Sequence, residues 1–100
     1  MQPKSQQNPS WTFFSNHGHV VFLLAQHPEI TLKEIATRVG VTERSITTIV
    51  KDLEEGGYLK RSKIGRRNVY SVRGQKKLRH SLESKISLKD IVTLFKGTPL

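Results

Sequence analysis

Residues 32–72 read LKEIATRVGVTERSITTIVKDLEEGGYLKRSKIGRRNVYSV, two short helical patterns around a glycine followed by two β-prone runs around a basic turn. Thr31 and Glu34 form a capping-box pair, and Leu32, Ile35, Ala36 and Val39 recur at helical spacing behind it. Gly40 supplies the left-handed residue often needed just past a helix end, because it lacks a Cβ. Thr42 is placed to cap the next helix, whose Ile46, Ile49, Val50 and Leu53 stand at i, i+3, i+4 and i+7. Gly56 and Gly57 stop it. A four-residue link centred on Gly40 thus makes residues 31–56 a helix-turn-helix. Residues 58–73 follow as a hairpin wing, with strands at Tyr58 to Lys63 and Asn68 to Arg73 and a turn of Ile64, Gly65, Arg66 and Arg67. The alternation in Val69, Tyr70, Ser71 and Val72 puts Tyr70 and Val72 on one face, against the helices.

Upstream, residues 1–10 are polar and hold Pro3 and Pro9, the composition expected of a disordered tail. Trp11, Phe13 and Phe14 then lead into the apolar run from Val20 to Ala25. A helix apolar on several sides needs cover on several sides, so a second copy of the chain is expected against it. Pro28 ends this helix, since it cannot extend the hydrogen-bond ladder and restricts His27 before it. Downstream, Ser87 with Asp90 forms another capping box, followed by Leu88, Ile91, Val92 and Phe95, which places a last helix at about 87–96 before Gly97 and Pro99. One domain over 11–96 is expected, of mainly α class with a small antiparallel β-hairpin (α+β), a winged helix-turn-helix.

The chain has 100 residues and a formal net charge of +9. That length supports one core, and any larger functional surface needs oligomerisation. Between Gly56 and Leu82 stand nine Lys or Arg and no Asp or Glu; the remaining residues carry eight basic and eight acidic groups, so the whole excess belongs to this segment. Such a field draws an anionic partner. No apolar run reaches eighteen residues, which argues against a membrane span, and no charged-then-apolar leader opens the chain, so a cytoplasmic protein is expected. The chain has no cysteine, which excludes disulfides and thiolate metal sites.

At 100° per residue the third helix turns Ile46, Ile49, Val50 and Leu53 inward and Arg44, Thr48, Lys51 and Glu55 outward, with Thr47 at the flank. Its outward face is basic and hydroxylic at the start and acidic at the end, through Asp52, Glu54 and Glu55. Acidic groups repel phosphate, so the first turns are the ones suited to the major groove of duplex DNA. Arg44 can bond guanine O6 and N7 together, Thr47 and Thr48 suit a base, a thymine methyl or a phosphate, and Lys51 suits a phosphate or guanine. Thr42 and Ser45 complete the candidate set on this helix. In the hairpin, Lys63, Arg66 and Arg67 can reach backbone phosphates or a minor groove.

With those residues in view, 32–72 resembles the winged helix-turn-helix regulators of the MarR (multidrug-resistance) and ArsR (arsenical-resistance) types. The wider pattern, from Trp11 through Asn16, His17, Gly18 and His19 to Leu78–Glu83 and the closing Ser87–Phe95 segment, resembles short bacterial winged-helix regulators. The resemblance implies a homodimer with two recognition helices in successive major grooves, Arg44, Thr47 and Thr48 on bases, and Arg66 and Arg67 on the flanking backbone. The dimer is expected to form through the aromatic N-terminal region, the first helix and the C-terminal helix. The longer multidrug-type members dimerise through extended terminal helices framing an effector pocket, and this chain is too short to hold them in full. The cysteine pairs of many arsenical-type metal sensors are missing.

Neither a cofactor nor a metal is expected. His17 and His19 lie about 200° apart on a helix and have no third ligand beside them, so His17, His19, His27 and His80 read as helix-end and surface histidines. No Gly-rich phosphate loop, H-E-x-x-H pattern or Ser-His-Asp order occurs, so an enzyme is not expected. The rivals to a DNA-binding regulator are a winged-helix protein-interaction module, docking through the aromatic N-terminus, and an RNA-binding module using the same wing. A pure docking module has no need of the basic hairpin with Arg44 and Lys51, and RNA binding lacks an exposed aromatic stacking platform.

Overall fold

Both capping boxes close. Thr31 Oγ1 accepts from the Glu34 amide at 3.1 Å while Glu34 Oε1 accepts from the Thr31 amide at 3.2 Å, and Ser87 and Asp90 exchange the same pair of bonds at 3.3 and 3.0 Å. The computed structural model describes residues 9–96; most of the expected tail, and the stop signals Gly97 and Pro99, lie outside the described residues. Among the described residues the elements follow in the order α1 (Asn16–Gln26), α2 (Leu32–Val39), α3 (Glu43–Glu55), β1 (Leu59–Ile64), β2 (Arg67–Val72) and α4 (Leu88–Leu94), with a 3-10 turn at Ser81–Glu83. This is the expected α+β winged helix-turn-helix.

The link from α2 to α3 is Gly40, Val41 and Thr42, three residues rather than four, because Gly40 already bends the chain at φ 89° and Thr42 caps α3 through its bond with the Ser45 amide at 3.1 Å. At the far end of α3 the left-handed residue is Gly57, at φ 83°, while Gly56 stays helical. The Tyr58 amide reaches back to the Leu53 carbonyl at 2.8 Å and that of Gly57 to Glu54 at 3.1 Å, closing the last carbonyls in a Schellman arrangement. Leu53 and Tyr58, the apolar pair that accompanies this motif, are both buried.

The hairpin is tighter than its sequence suggested. Ile64 pairs with Arg67, leaving Gly65 and Arg66 as a two-residue turn in which only Gly65, at φ 63°, is left-handed. Glycine at the first of two central positions is the II′ pattern, whose twist matches the flanking strands, so both strands run one pair further than expected at the tip. Tyr70 is buried and Val72 half-buried against the helices, on the face the alternation gave.

One core joins all the elements: Val20, Val21 and Leu24 of α1, Ile35 and Ala36 of α2, Ile46, Ile49, Val50 and Leu53 of α3, Leu59 and Tyr70 of the wing, and Leu88 of α4. α1 lies against α2, α3, β2 and α4 together. Its several apolar sides are therefore covered by the same chain, so their apolar character does not by itself require a second copy. Phe22 on its outer side stacks on Phe95 at 3.9 Å between ring centres, and Phe14 stands edge-on to both, at 5.4 and 5.3 Å. The stretch after the wing carries a connection that its sequence did not announce. Lys77 and Ser87 form an antiparallel bridge, and bonds from Leu78 to Ile86, Leu88 to Lys76 and Lys89 to Gly74 fasten α4 beside the end of the hairpin.

Candidate nucleic-acid interface

Along α3 the exposed residues are Glu43, Arg44, Ser45, Thr47, Thr48, Lys51, Asp52 and Glu55, and Ile46, Ile49, Val50 and Leu53 are buried. Arg44 and Lys51 make no ion pair among the described residues, so both cations face solvent unneutralised. Thr47 and Thr48 donate their hydroxyls to the carbonyls four residues earlier, of Glu43 at 3.0 Å and Arg44 at 3.2 Å. That uses the donor of each hydroxyl and leaves its acceptor capacity in hand. Thr42 and Ser45 are occupied with each other at the cap, where Thr42 Oγ1 lies 3.0 Å from Ser45 Oγ.

Two of the acidic side chains at the end of α3 have partners. His17 Nε2 lies 2.9 Å from Asp52 Oδ2, tying the start of α1 to α3. Arg61 of β1 pairs with Glu54 at 3.3 Å. Repulsion of phosphate by this end is weaker than the bare sequence implied, though Glu55 remains exposed.

At the wing, Lys63 and Arg66 are exposed and make no ion pair among the described residues. Arg67 is placed differently from both. One guanidinium nitrogen lies 3.2 Å from Glu29 Oε1 and another donates to the Glu29 carbonyl at 3.2 Å, so the group bends back toward the α1–α2 loop. Its charge also reaches Glu34, whose pKa is held below the ordinary carboxylate range chiefly by the bond from the Thr31 amide, then by the Thr31 hydroxyl, with Arg67 adding a smaller pull. Asp90 is lowered for the matching reason, its bond from the Ser87 amide.

Two further exposed residues lie on these surfaces. Glu43 is exposed at the first position of α3, and Ile64 is 65% exposed beside the wing turn. The signal for Glu43 was its place at the first helical position after the Thr42 cap; for Ile64 it was a lone β-branched residue between basic neighbours.

Away from these surfaces, an open groove of about 990 Å³ lies between the start of α1, the end of α3 and the 78–91 stretch, lined by Phe14, Phe22, Leu53, Tyr58, Ile86 and Ile91. Among the described residues no group of three or more His, Cys, Asp or Glu is placed to hold a metal ion, and no helix is long and apolar enough to cross a membrane.

A helix-turn-helix followed by a hairpin, with free cations on both, defines the winged-helix class. Within it, the sequence pattern of the MarR family matches residues 15–67, from the cap of α1 to the wing turn. The chain belongs to the MarR family of winged-helix transcriptional regulators. Among solved structures it is similar to the zinc-dependent MarR family transcriptional regulator AdcR in its Zn(II)-bound state, at a TM-score of 0.53 and 21% identity over 87% of this chain. That alignment takes in 53% of the other chain, so the present sequence spans about half the length of this structural relative. No curated protein sequence matches the chain.

Proposed function

We propose that the chain binds duplex DNA sequence-specifically, as a homodimeric regulator with α3 in the major groove and the wing on the flanking backbone or minor groove. The observation that carries this reading is the pair of exposed, unneutralised cations Arg44 and Lys51 on the outward face of α3, matched by Lys63 and Arg66 at the wing tip. Arg44 bonds a guanine edge, Thr47 and Thr48 offer methyls to thymine and acceptors to base amino groups, and Lys51 meets a phosphate or guanine. Thr42 and Ser45 set the first turn of α3 in place and bring its amides toward a phosphate. Glu43 accepts from a cytosine amino group, and Ile64 packs against sugars beside Lys63 and Arg66.

The assembly is read from exposed apolar side chains, not from α1. Trp11, Phe13, Leu82 and Leu94 are all at least 67% exposed, on the N-terminal approach, the 3-10 turn and α4, and Trp11 and Phe13 stand edge to face at 5.2 Å between ring centres. An exposed set of this kind marks a protein contact. It is the observation that favours a docking module, and we assign it to a second copy, which brings two recognition helices one helical turn of DNA apart. RNA binding gains no support from the wing, whose Tyr70, like Tyr58 before it, is buried and offers no stacking face.

Selection from random duplex DNA tests the reading. An enriched inverted repeat is the expected result, with affinity falling as salt rises at a log–log slope of about −5 to −9 for six to ten phosphates in a dimer. Enrichment of nothing, or a slope near zero, removes it.

A further inference from the structure

The contacts of Arg67 point to a different task from that of its neighbour Arg66. Arg67 stands at the first position of β2, directly across from Ile64. Instead of projecting with the turn, its guanidinium holds both the carboxylate and the backbone carbonyl of Glu29, each at 3.2 Å. Three residues along the same strand, the Tyr70 amide approaches the Pro28 carbonyl at 3.4 Å. The wing is thus fastened at two points to the Pro28–Glu29 corner, which follows directly on the C-cap of α1 at His27.

We infer that Glu29 is a positioning residue for nucleic-acid binding: it clamps Arg67 so that the wing is held at a fixed angle to α3, and Arg67 acts through this clamp rather than by touching phosphate. The inference rests on the DNA-binding reading above. A two-stranded ribbon has little of its own to fix its direction. Of the side chains on β1 and β2 only Leu59 and Tyr70 are buried, both near the base of the wing, and every residue from Lys60 to Asn68 is exposed. A tie between the first residue of β2 and the helical body therefore acts where packing does not. Lys63 and Arg66, left unpaired, are then presented from a braced tip instead of a swinging one. Bracing matters because ordering a mobile segment on binding opposes affinity.

The clamp predicts the opposite sign from simple charge. Glu29 is an acidic group, and removing it raises the net positive charge, which on electrostatics alone tightens DNA binding. If it braces the wing, its removal weakens binding instead. Both side chains are more than 60% exposed, so the effect has the scale of a surface ion pair, at most about fivefold.

The experiment measures binding of wild type, Glu29→Gln, Arg67→Ala, Arg67→Glu and the exchanged pair Glu29→Arg with Arg67→Glu to a selected duplex across a salt series, alongside hydrogen exchange of the free proteins. Expected are affinities lower by about threefold to fivefold for Glu29→Gln and Arg67→Ala with an unchanged salt slope, and partial recovery in the exchanged pair relative to Arg67→Glu. Faster exchange of the Tyr70 amide in Glu29→Gln, without DNA, is the matching sign of a released wing. Equal or tighter binding by Glu29→Gln overturns the inference, as does a salt slope flatter by about 0.9 per protomer in Arg67→Ala, which marks a phosphate contact. Unchanged exchange at Tyr70 overturns the clamp itself. A wild-type protein that binds no duplex defeats the DNA-binding reading, and with it the role of Glu29 in binding, while the exchange result still reports on the clamp.

Discussion

α3 and the wing present charge of one sign on unlike foundations. Every turn of α3 sends a residue into the core, with Ile46 completely enclosed and Ile49, Val50 and Leu53 nearly so, so its exposed face inherits the rigidity of the packing beneath it. The wing projects beyond its last buried residues and is held by backbone pairing and by surface bonds such as Arg67 with Glu29. A face backed by a core can read bases, because discrimination between base edges requires side chains fixed to within fractions of an ångström. A ribbon braced from its surface rather than from a core suits contacts to phosphate, which recur along the duplex and tolerate adjustment.

The harshest way to break this contrast is Ile46→Ala, which opens a cavity under the exposed face of α3. A loss of about 2–5 kcal/mol in unfolding free energy is expected from denaturant titration, and DNA binding falls with it. Next comes a comparison of the two surfaces themselves. Arg44→Ala is expected to cost about 1–3 kcal/mol of binding and to relax preference at one base position. Arg66→Ala is expected to weaken all sequences alike and to flatten the salt slope by about 0.9 per lost phosphate contact. Identical behaviour of the two variants in competition assays would erase the distinction between reader and anchor.

The junction between the two regions is Gly57, whose φ of 83° turns the chain out of α3 and into β1. Gly57→Ala forces a Cβ into that left-handed conformation, at a cost of about 1 kcal/mol in thermal or chemical unfolding. The space itself is open, since the nearest side-chain atom to such a Cβ, from Lys76, lies at 3.6 Å. The loss should thus be one of backbone strain alone. The smallest effect is on pH. Glu34 and Asp90 both have folded-state pKa values lowered by their capping bonds. Their contribution to stability is fully present above the ordinary carboxylate pKa and disappears as the pH falls through the lowered folded value. Melting temperatures of Glu34→Gln and Asp90→Asn should therefore fall less steeply with acid than those of the wild type.

The helix-turn-helix was legible in the sequence because its instructions are local. Thr31 with Glu34, Gly40 and Thr42 each act within a few residues, and the apolar spacing of Ile46, Ile49, Val50 and Leu53 fixes a face without reference to anything distant. The wing was legible as a hairpin, but its tip was misplaced, since the single glycine of Gly65–Arg66 does not by itself distinguish a two-residue turn from a four-residue one. The connections that decide how surfaces are held were not legible. Glu29 and Arg67 are 38 positions apart, and neither carries a pattern that names the other. The bridge of Lys77 with Ser87 is made of backbone groups that every residue possesses. The need of α1 for several-sided cover was visible in Val20 to Ala25, but its source was not, because composition cannot say whether the cover comes from the same chain or from another.

The contact of Phe14 with Phe95 brings the first and last aromatic elements of the fold together beside α1. Phe14 also borders the groove lined by Asp52, Leu53 and Gly56, so this aromatic contact lies near the end of α3, about 20 Å along the helix axis from its first turn. The opening turn of α3 is therefore left clear of this aromatic junction.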